Sequence, residues 1–174
     1  MIIISGPSTV GKNPLIEHIC QTTIFNFVTP VTTRKARNTE TDGVDYFFLS
    51  QKEFKDQIIQ NLLFEWDYCL SNYYGFYPLK NPENKITHAL SRMAIRIKGH
   101  IKNTKTVFLY PKNIKKIEKT LMNIYSGTQL ELRIFHMKEE IKHSEMFDFV
   151  FKVENGEDIL TDKNFKSMIT NHLC

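Results

Sequence analysis

Gly6-Pro7-Ser8-Thr9-Val10-Gly11-Lys12 carries the spacing G-x-x-x-x-G-K, the pattern of a loop that wraps phosphate groups. The glycines permit a tight turn and a close approach of the main chain to an anion. Successive N–H groups then converge at a helix N-terminus, and the ammonium of Lys12 adds a point charge for β- and γ-phosphates. The residue after such a lysine is ordinarily Ser or Thr, whose hydroxyl holds Mg²⁺. Here it is Asn13, followed by Pro14. An amide oxygen at Asn13 is a weaker and less adaptable ligand for Mg²⁺ than a hydroxyl. Pro14 fits a first helical turn but has no N–H for a phosphate. Losing one charge-assisted hydrogen bond costs about 1.5–3 kcal/mol of nucleotide affinity. Residues 6–12 with Asn13 therefore form a weakened triphosphate site.

A second constellation follows: Thr32-Thr33-Arg34, Arg37, Glu40, Asp42-Gly43, Asp45-Tyr46, Glu65-Trp66 and Asn72-Tyr73-Tyr74-Gly75. Two arginines three apart in a loop suit a planar, bidentate grip on a phosphate monoester. Tyr46 and Tyr74 can donate phenolic hydroxyls to the same phosphate. Glu65, acceptor-only when ionised, can take a ring N–H and an exocyclic amine of guanine. Taken singly, each residue has a plainer reading as a surface charge, a hairpin aromatic or the wet edge of a strand.

The elements that must position these groups alternate along the chain. Residues 1–5 read as a buried strand and 12–22 as a helix. Residues 24–29 and 46–49 read as further strands. Ser50-Gln51-Lys52-Glu53 reads as a capping box that opens a helix over 51–61. Aromatic-rich 62–77 reads as a hairpin. Strands follow at 86–91 and 106–110, separated by a basic helix at 92–102. Helices at 113–123 and 129–142, a strand at 147–153 and a helix at 157–171 complete the pattern. Strands alternating with helices behind a phosphate loop predict a parallel α/β sheet. Residues 30–78 would form an inserted lobe over its C-terminal edge, where open sheets place ligands.

Bulk properties narrow the class. The 174 residues are 41% apolar, enough for one domain with a sizeable core. The formal charge of +4 suits an anionic substrate but not specifically nucleic acid. No run of 18 apolar residues exists and the chain enters a strand at once, so neither a membrane span nor a signal peptide is expected. Cys20, Cys69 and Cys174 lack metal-ligand spacing, which predicts reduced thiols in the cytoplasm.

The order and spacing of the second constellation behind a phosphate loop resembles the guanylate kinase family, enzymes that transfer a phosphoryl group from ATP to GMP. The resemblance runs almost the length of the chain. It is strongest over residues 1–77, returns at 106–121 and ends with Phe147-Asp148-Phe149-Val150-Phe151-Lys152-Val153-Glu154-Asn155. It implies a single domain over 1–174 with a P-loop NTPase-type parallel sheet flanked by helices. The core would comprise 1–29 and 79–174, a mixed-sheet GMP-binding lobe 30–78, and a shortened lid about 122–134. By that resemblance Arg34, Arg37, Tyr46 and Tyr74 hold the GMP phosphate and Glu65 reads guanine. Gly6 through Lys12 hold the ATP phosphates with Mg²⁺ carried on ATP, and Asn155 lies near the adenine. Lys12 and Arg133 are the implied catalytic residues, the latter a lid arginine that stabilises charge on the migrating phosphoryl group.

Departures from the family pattern cluster on chemistry. Pro30 stands where a serine is expected before Thr32-Thr33-Arg34. Phe76 replaces a small hydroxyl residue that helps read guanine. Ala89 and Ser91 stand where the strand should carry two aspartates, and 123–128 lacks the first lid arginine. An arginine finger alone is worth about 10³–10⁵ in rate in related phosphoryl transfer. The expected activity is ATP-to-GMP transfer giving ADP and GDP, weakened on the donor side. The alternatives are a silent module that binds GMP or a phosphorylated partner, and a protein that holds nucleotide as a structural element. No membrane or nucleic-acid partner is expected.

Overall fold

A computed structural model describes residues 1–171, which divide into two compact units. The first comprises Met1–Phe27 with the chain from Glu83 onward; the second is Val28–Pro82. Cys174 lies outside the described residues. Cys20 is half-buried, Cys69 is buried, and neither is in a disulfide.

Strand β1 (Ile2–Ser5) has no exposed residue. That is the mark of a central parallel strand covered on both faces. In the first unit it lies in the middle of an all-parallel sheet, with β7 (Lys85–His88) on one side and β8 (Lys105–Pro111) on the other. The outer strands are β2 (Asn26–Phe27), beside β7, and β9 (Phe149–Val153), beside β8. Helix α1 (Lys12–Thr22) buries Leu15, Ile16 and Ile19. They share one core with Ile2, Ile4, Val107, Leu109 and Phe165, as an amphipathic stripe against a sheet requires. Helices α3 (Ser91–His100), α4 (Ile114–Ile124), α5 (Gly127–Lys142) and α6 (Lys163–Asn171) complete this unit. A smaller cluster of Ile117, Leu121 and Met137 joins α4 to α5.

Three expected elements differ. The strand expected over 24–29 shrinks to Asn26–Phe27, because Thr23 Oγ1 accepts the Phe25 N–H and Asn26 Nδ2 donates to the Ile24 carbonyl. Such local side-chain bonds compete with a ladder. The strand expected over 86–91 ends at His88, and Ser91 already belongs to α3. The helix expected over 157–171 is two pieces, a 3₁₀ turn at Gly156–Thr161 and then α6. Asp162, extended at φ −69°, ψ 129°, accepts the N–H groups of Asn164 (2.8 Å) and Phe165 (3.1 Å) and so restarts the helix.

The second unit is a mixed sheet of β3 (Val31–Thr32), β4 (Phe47–Phe48), β5 (Glu65–Cys69) and β6 (Asn72–Phe76) in the order β4-β3-β6-β5. Helix α2 (Gln51–Ile59) starts with the expected reciprocal cap between Ser50 and Glu53. Phe54 of α2 is fully buried and stacks on Tyr73 at 5.2 Å, with Trp66 and Tyr68 around the same ring. A Cβ at Gly75 would lie 3.0 Å from the Phe54 ring, so glycine there permits the helix to sit this close. One face of the sheet is thus spent on α2. Tyr74, opposite Asp67, and Glu65, opposite Phe76, project from the other.

Asp162→Ala should remove the second start of the C-terminal helix at a cost of about 1 kcal/mol. Chemical denaturation of the variant against the parent checks this; equal stability would show that Asp162 is not the cap.

Candidate active site

In the first unit β1 delivers the chain into the phosphate loop at a fixed point. Ser5 Oγ donates to the Ala89 carbonyl at 2.8 Å and anchors the loop root to the end of β7. Gly6 and Gly11 then turn at φ 143° and 87°, both in the region that favours glycine. Space decides as firmly as torsion. A Cβ on Gly6 would lie 2.7 Å from the Leu109 carbonyl oxygen, and one on Gly11 would strike the Asn155 side chain. Gly156 is equally tight against the Gly11 main chain. The segment Asn155–Gly156 therefore packs directly on the loop, although Asn155 is far away in sequence. Asn155 also caps the following 3₁₀ turn reciprocally with Asp158.

Lys12 Nζ donates to the carbonyls of Gly6 (2.6 Å) and Pro7 (2.7 Å), so the ammonium curls over the loop it closes. Asn13 and Pro14 sit exposed in the first turn of α1. No three His, Cys, Asp or Glu side chains among the described residues form a metal-binding group. A Mg²⁺ that arrives on a triphosphate asks less, one or two protein ligands beside phosphate oxygens and water. Only two residues, Tyr125 and Ser126, join α4 to α5. Arg133, in the second turn of α5, lays its guanidinium 3.8 Å from the centroid of the Tyr125 ring, a cation–π contact.

Ala89 and Ser91 offer no carboxylate, but a carboxylate is present beside Ser91. Glu140 of α5 accepts from the Ser91 main-chain N–H and from its hydroxyl. Nothing in the spacing of the chain announced that residue.

In the second unit one carboxylate gathers the predicted phosphate-binding residues. Glu40 takes a two-pronged ion pair from Arg34 at 2.8 and 2.9 Å. It also accepts the Arg37 main-chain N–H at 2.8 Å, with the Arg37 guanidinium 3.5 Å away. Arg34 lies over Tyr46 (5.2 Å) and Phe48 (5.8 Å), and Tyr46 meets Tyr74 edge-on at 6.4 Å. Arg34, Arg37, Tyr46 and Tyr74 are thus brought together, with Glu40 among them. The two arginines differ in freedom: the Arg34 side chain is 14% exposed and that of Arg37 is 59%. Loop carboxylates shape the turn around them. Asp45 accepts the Thr41 N–H and Asp42 accepts the Phe48 N–H.

Burial would raise the Glu40 carboxyl, but the Arg34 bonds and the Arg37 amide outweigh it and hold the group below its usual range. Burial, reinforced by Tyr74, pushes the Tyr46 phenol well up, so it stays a neutral donor near pH 7. Glu65 accepts the Trp66 N–H at 3.0 Å on the sheet face that carries Tyr74. Phe76, at the position of the expected small hydroxyl, is 2% exposed and belongs to the core of the lobe. Pro30 is buried, and its carbonyl accepts the Phe47 N–H at 2.9 Å.

The family model described as guanylate kinase matches residues 1–172. The chain belongs to the guanylate kinase family. It is 31% identical to a guanylate kinase of Bacillus anthracis over an alignment covering all of this chain and 89% of that one. It is 33% identical to a guanylate kinase of Prochlorococcus marinus, with 91% of each chain covered. In fold it is similar to the crystal structure of guanylate kinase from Anaplasma phagocytophilum, with a TM-score of 0.76 at 21% identity. That superposition covers the whole of this chain and 86% of the other. Glu40 is the residue of this cluster that spacing alone undervalued: it is a charge among charges until its burial and its pairing with both arginines are seen.

Glu40→Gln should cost about 3 kcal/mol at pH 7, since it breaks a largely buried ion pair and strands Arg34. The depressed carboxyl stabilises the fold above the ordinary value of 4.5, and that contribution is lost as pH falls through the native value. Urea melts at pH 7 and pH 3 should therefore show the gap between parent and variant closing on acidification. A gap independent of pH would contradict the ion pair.

Proposed function

We propose that this chain transfers the γ-phosphoryl group of MgATP to GMP, giving ADP and GDP. The observation that carries the proposal is the assembled cluster of Arg34, Arg37, Tyr46 and Tyr74 in a chain of the guanylate kinase family. Arg37, the open member, supplies the guanidinium fork to the GMP phosphate. Arg34, already paired with Glu40, fixes the geometry behind it and adds charge. Tyr46 and Tyr74 donate hydroxyls to the same phosphate, and Glu65 accepts from guanine.

On the donor side, loop amides of residues 6–12 cradle the triphosphate, and Mg²⁺ comes with it. Lys12 exchanges the carbonyls of Gly6 and Pro7 for β- and γ-oxygens. Asn13 is the candidate metal contact, and Asn155, packed on Gly11, is the candidate adenine contact. Arg133, held over the Tyr125 ring, is the candidate for stabilising charge on the migrating phosphoryl group. A GMP phosphate oxygen attacks the γ-phosphorus, the bond to the ADP oxygen breaks, and no covalent enzyme intermediate forms. The work is positioning and charge stabilisation. Asn13, Pro14, Ala89 and Ser91 all weaken the donor side, so turnover is below that of a member with the full set. The cytoplasm is the compartment that suits these substrates and reduced thiols.

The same asymmetry supports a second reading, a silent module that uses the acceptor cluster to hold GMP or a phosphorylated side chain of a partner.

A coupled assay of ADP release separates the two. With ATP, Mg²⁺ and GMP the parent should turn over, and Lys12→Ala should lower kcat by about 10²–10³-fold. GMP binding by calorimetry without GMP-dependent ADP release would select the module; neither signal would overturn both readings. Arg37→Ala should raise KM for GMP by about 10–100-fold with a smaller change in KM for ATP. Asn13→Ser with Pro14→Thr should tighten MgATP binding by about tenfold or more. Unchanged affinity would exclude those positions as the cause of a weak donor site.

A further inference from the structure

Glu140 is 5% exposed and takes no part in the proposed phosphoryl transfer. Its oxygens accept the Ser91 N–H at 3.1 and 3.2 Å, and Oε1 accepts the Ser91 hydroxyl at 3.0 Å. Ser91 is the first residue of α3, whose cap position is Leu90 with no side-chain cap. A carboxylate delivered from α5 therefore fills the anion position at that helix start. The connection continues in two directions. Toward the phosphate loop, Ala89 donates to the Ile4 carbonyl, and its own carbonyl accepts Ser5 Oγ–H at the loop root. Toward the half-buried His143, Ser91 Oγ lies 2.8 Å from Nδ1. The hydroxyl has one hydrogen. While it points to Glu140, His143 Nδ1 must be the donor in that contact.

The charged and titratable groups that face Glu140 are Lys12 of α1, Arg92 of α3, His136 of α5 at 4.0 Å, and His143 in the turn after α5. Burial pushes its carboxyl up, and the Ser91 bonds, Lys12 and Arg92 pull the other way without cancelling it. Lys12, which partly balances this carboxylate, is also the proposed phosphate contact.

We propose that Glu140 is a proton-accepting counter-charge of the phosphate loop, taking up a proton when a polyphosphate docks at residues 6–12. The inference rests on the phosphate-loop reading above. A docked triphosphate turns Lys12 toward itself and adds its own negative charge, and both changes disfavour a buried carboxylate. The proton has a balanced route. A solvent proton binds His143 Nε2, Nδ1–H passes its proton to Ser91 Oγ, and the original Ser91 hydrogen moves to Glu140 Oε1. At the end Glu140 O–H donates to Ser91, and Ser91 O–H donates to the now bare Nδ1. Every bond of the chain is kept with its direction reversed. By linkage, MgATP affinity rises as pH falls through the range where Glu140 titrates.

Calorimetry of MgATP binding to the full chain at excess Mg²⁺ and constant pH, run in Tris and in PIPES, reads the proton directly. The parent should show net proton uptake. Glu140→Gln, whose Oε1 can still accept from Ser91, should bind MgATP without that uptake and with a flattened pH dependence of affinity. Equal uptake in both proteins would overturn the proposal. Carbon-13 titration of the Glu140 carboxyl in the parent avoids any folding defect of the variant. Its midpoint should rise by about one pH unit when MgATP binds, and an unmoved midpoint would equally overturn it. Absence of any saturable MgATP heat in the parent would remove the phosphate-loop reading and this inference together. Binding without proton uptake would remove this inference alone.

Discussion

Strand β1 has hydrogen-bonded neighbours on both edges and no exposed residue, so the chain leaving it at Ser5 has no freedom to shift. The site in the first unit is built out from that fixed point. The loop glycines then fit against Leu109 of the neighbouring strand and against Asn155–Gly156, with no room for a single added carbon. Loop amides held this closely need little reorganisation to meet an anion, which is where electrostatic stabilisation has its value. The same tightness explains why a segment so distant in sequence belongs to the loop: Gly11 and Gly156 are each other's steric limit.

The second unit solves a different problem. Two arginines close together repel, and something must keep them in place. Glu40 does so by pairing with both. The two arginines are unequally exposed. Arg34 is committed to Glu40 and to the ring of Tyr46, and Arg37 keeps its guanidinium largely in solvent. The proposed grip of Arg37 on a phosphate therefore does not require the Arg34–Glu40 pair to be undone first.

Much of this was legible in the chain because it is carried by local pattern. The three isoleucines of β1, the glycine spacing of the loop, the Ser50–Glu53 cap and the paired aromatics of 62–77 all declare their structure within a few residues. Local pattern misleads where a side chain overrides a run of propensity. Asp162 restarts a helix that composition alone would continue, and the end of β7 yields to a helix start. Two features were beyond the reach of spacing. The packing of Gly156 on Gly11 needs the sheet order, and the approach of Glu140 to Ser91 needs the path of α5.

By sequence alone, Ala89 and Ser91, just past β7, are simple losses of negative charge. In the folded chain a carboxylate is supplied from another helix, and it meets Ser91 by hydrogen bonds rather than standing in its place. A carboxylate held in this way is more deeply buried and less able to reach a metal. It is better able to exchange a proton through Ser91 and His143. A substitution that removes a charge from one element does not remove it from the site while a neighbouring element presents another at hydrogen-bond distance. It changes whether that charge acts as a ligand or as a field.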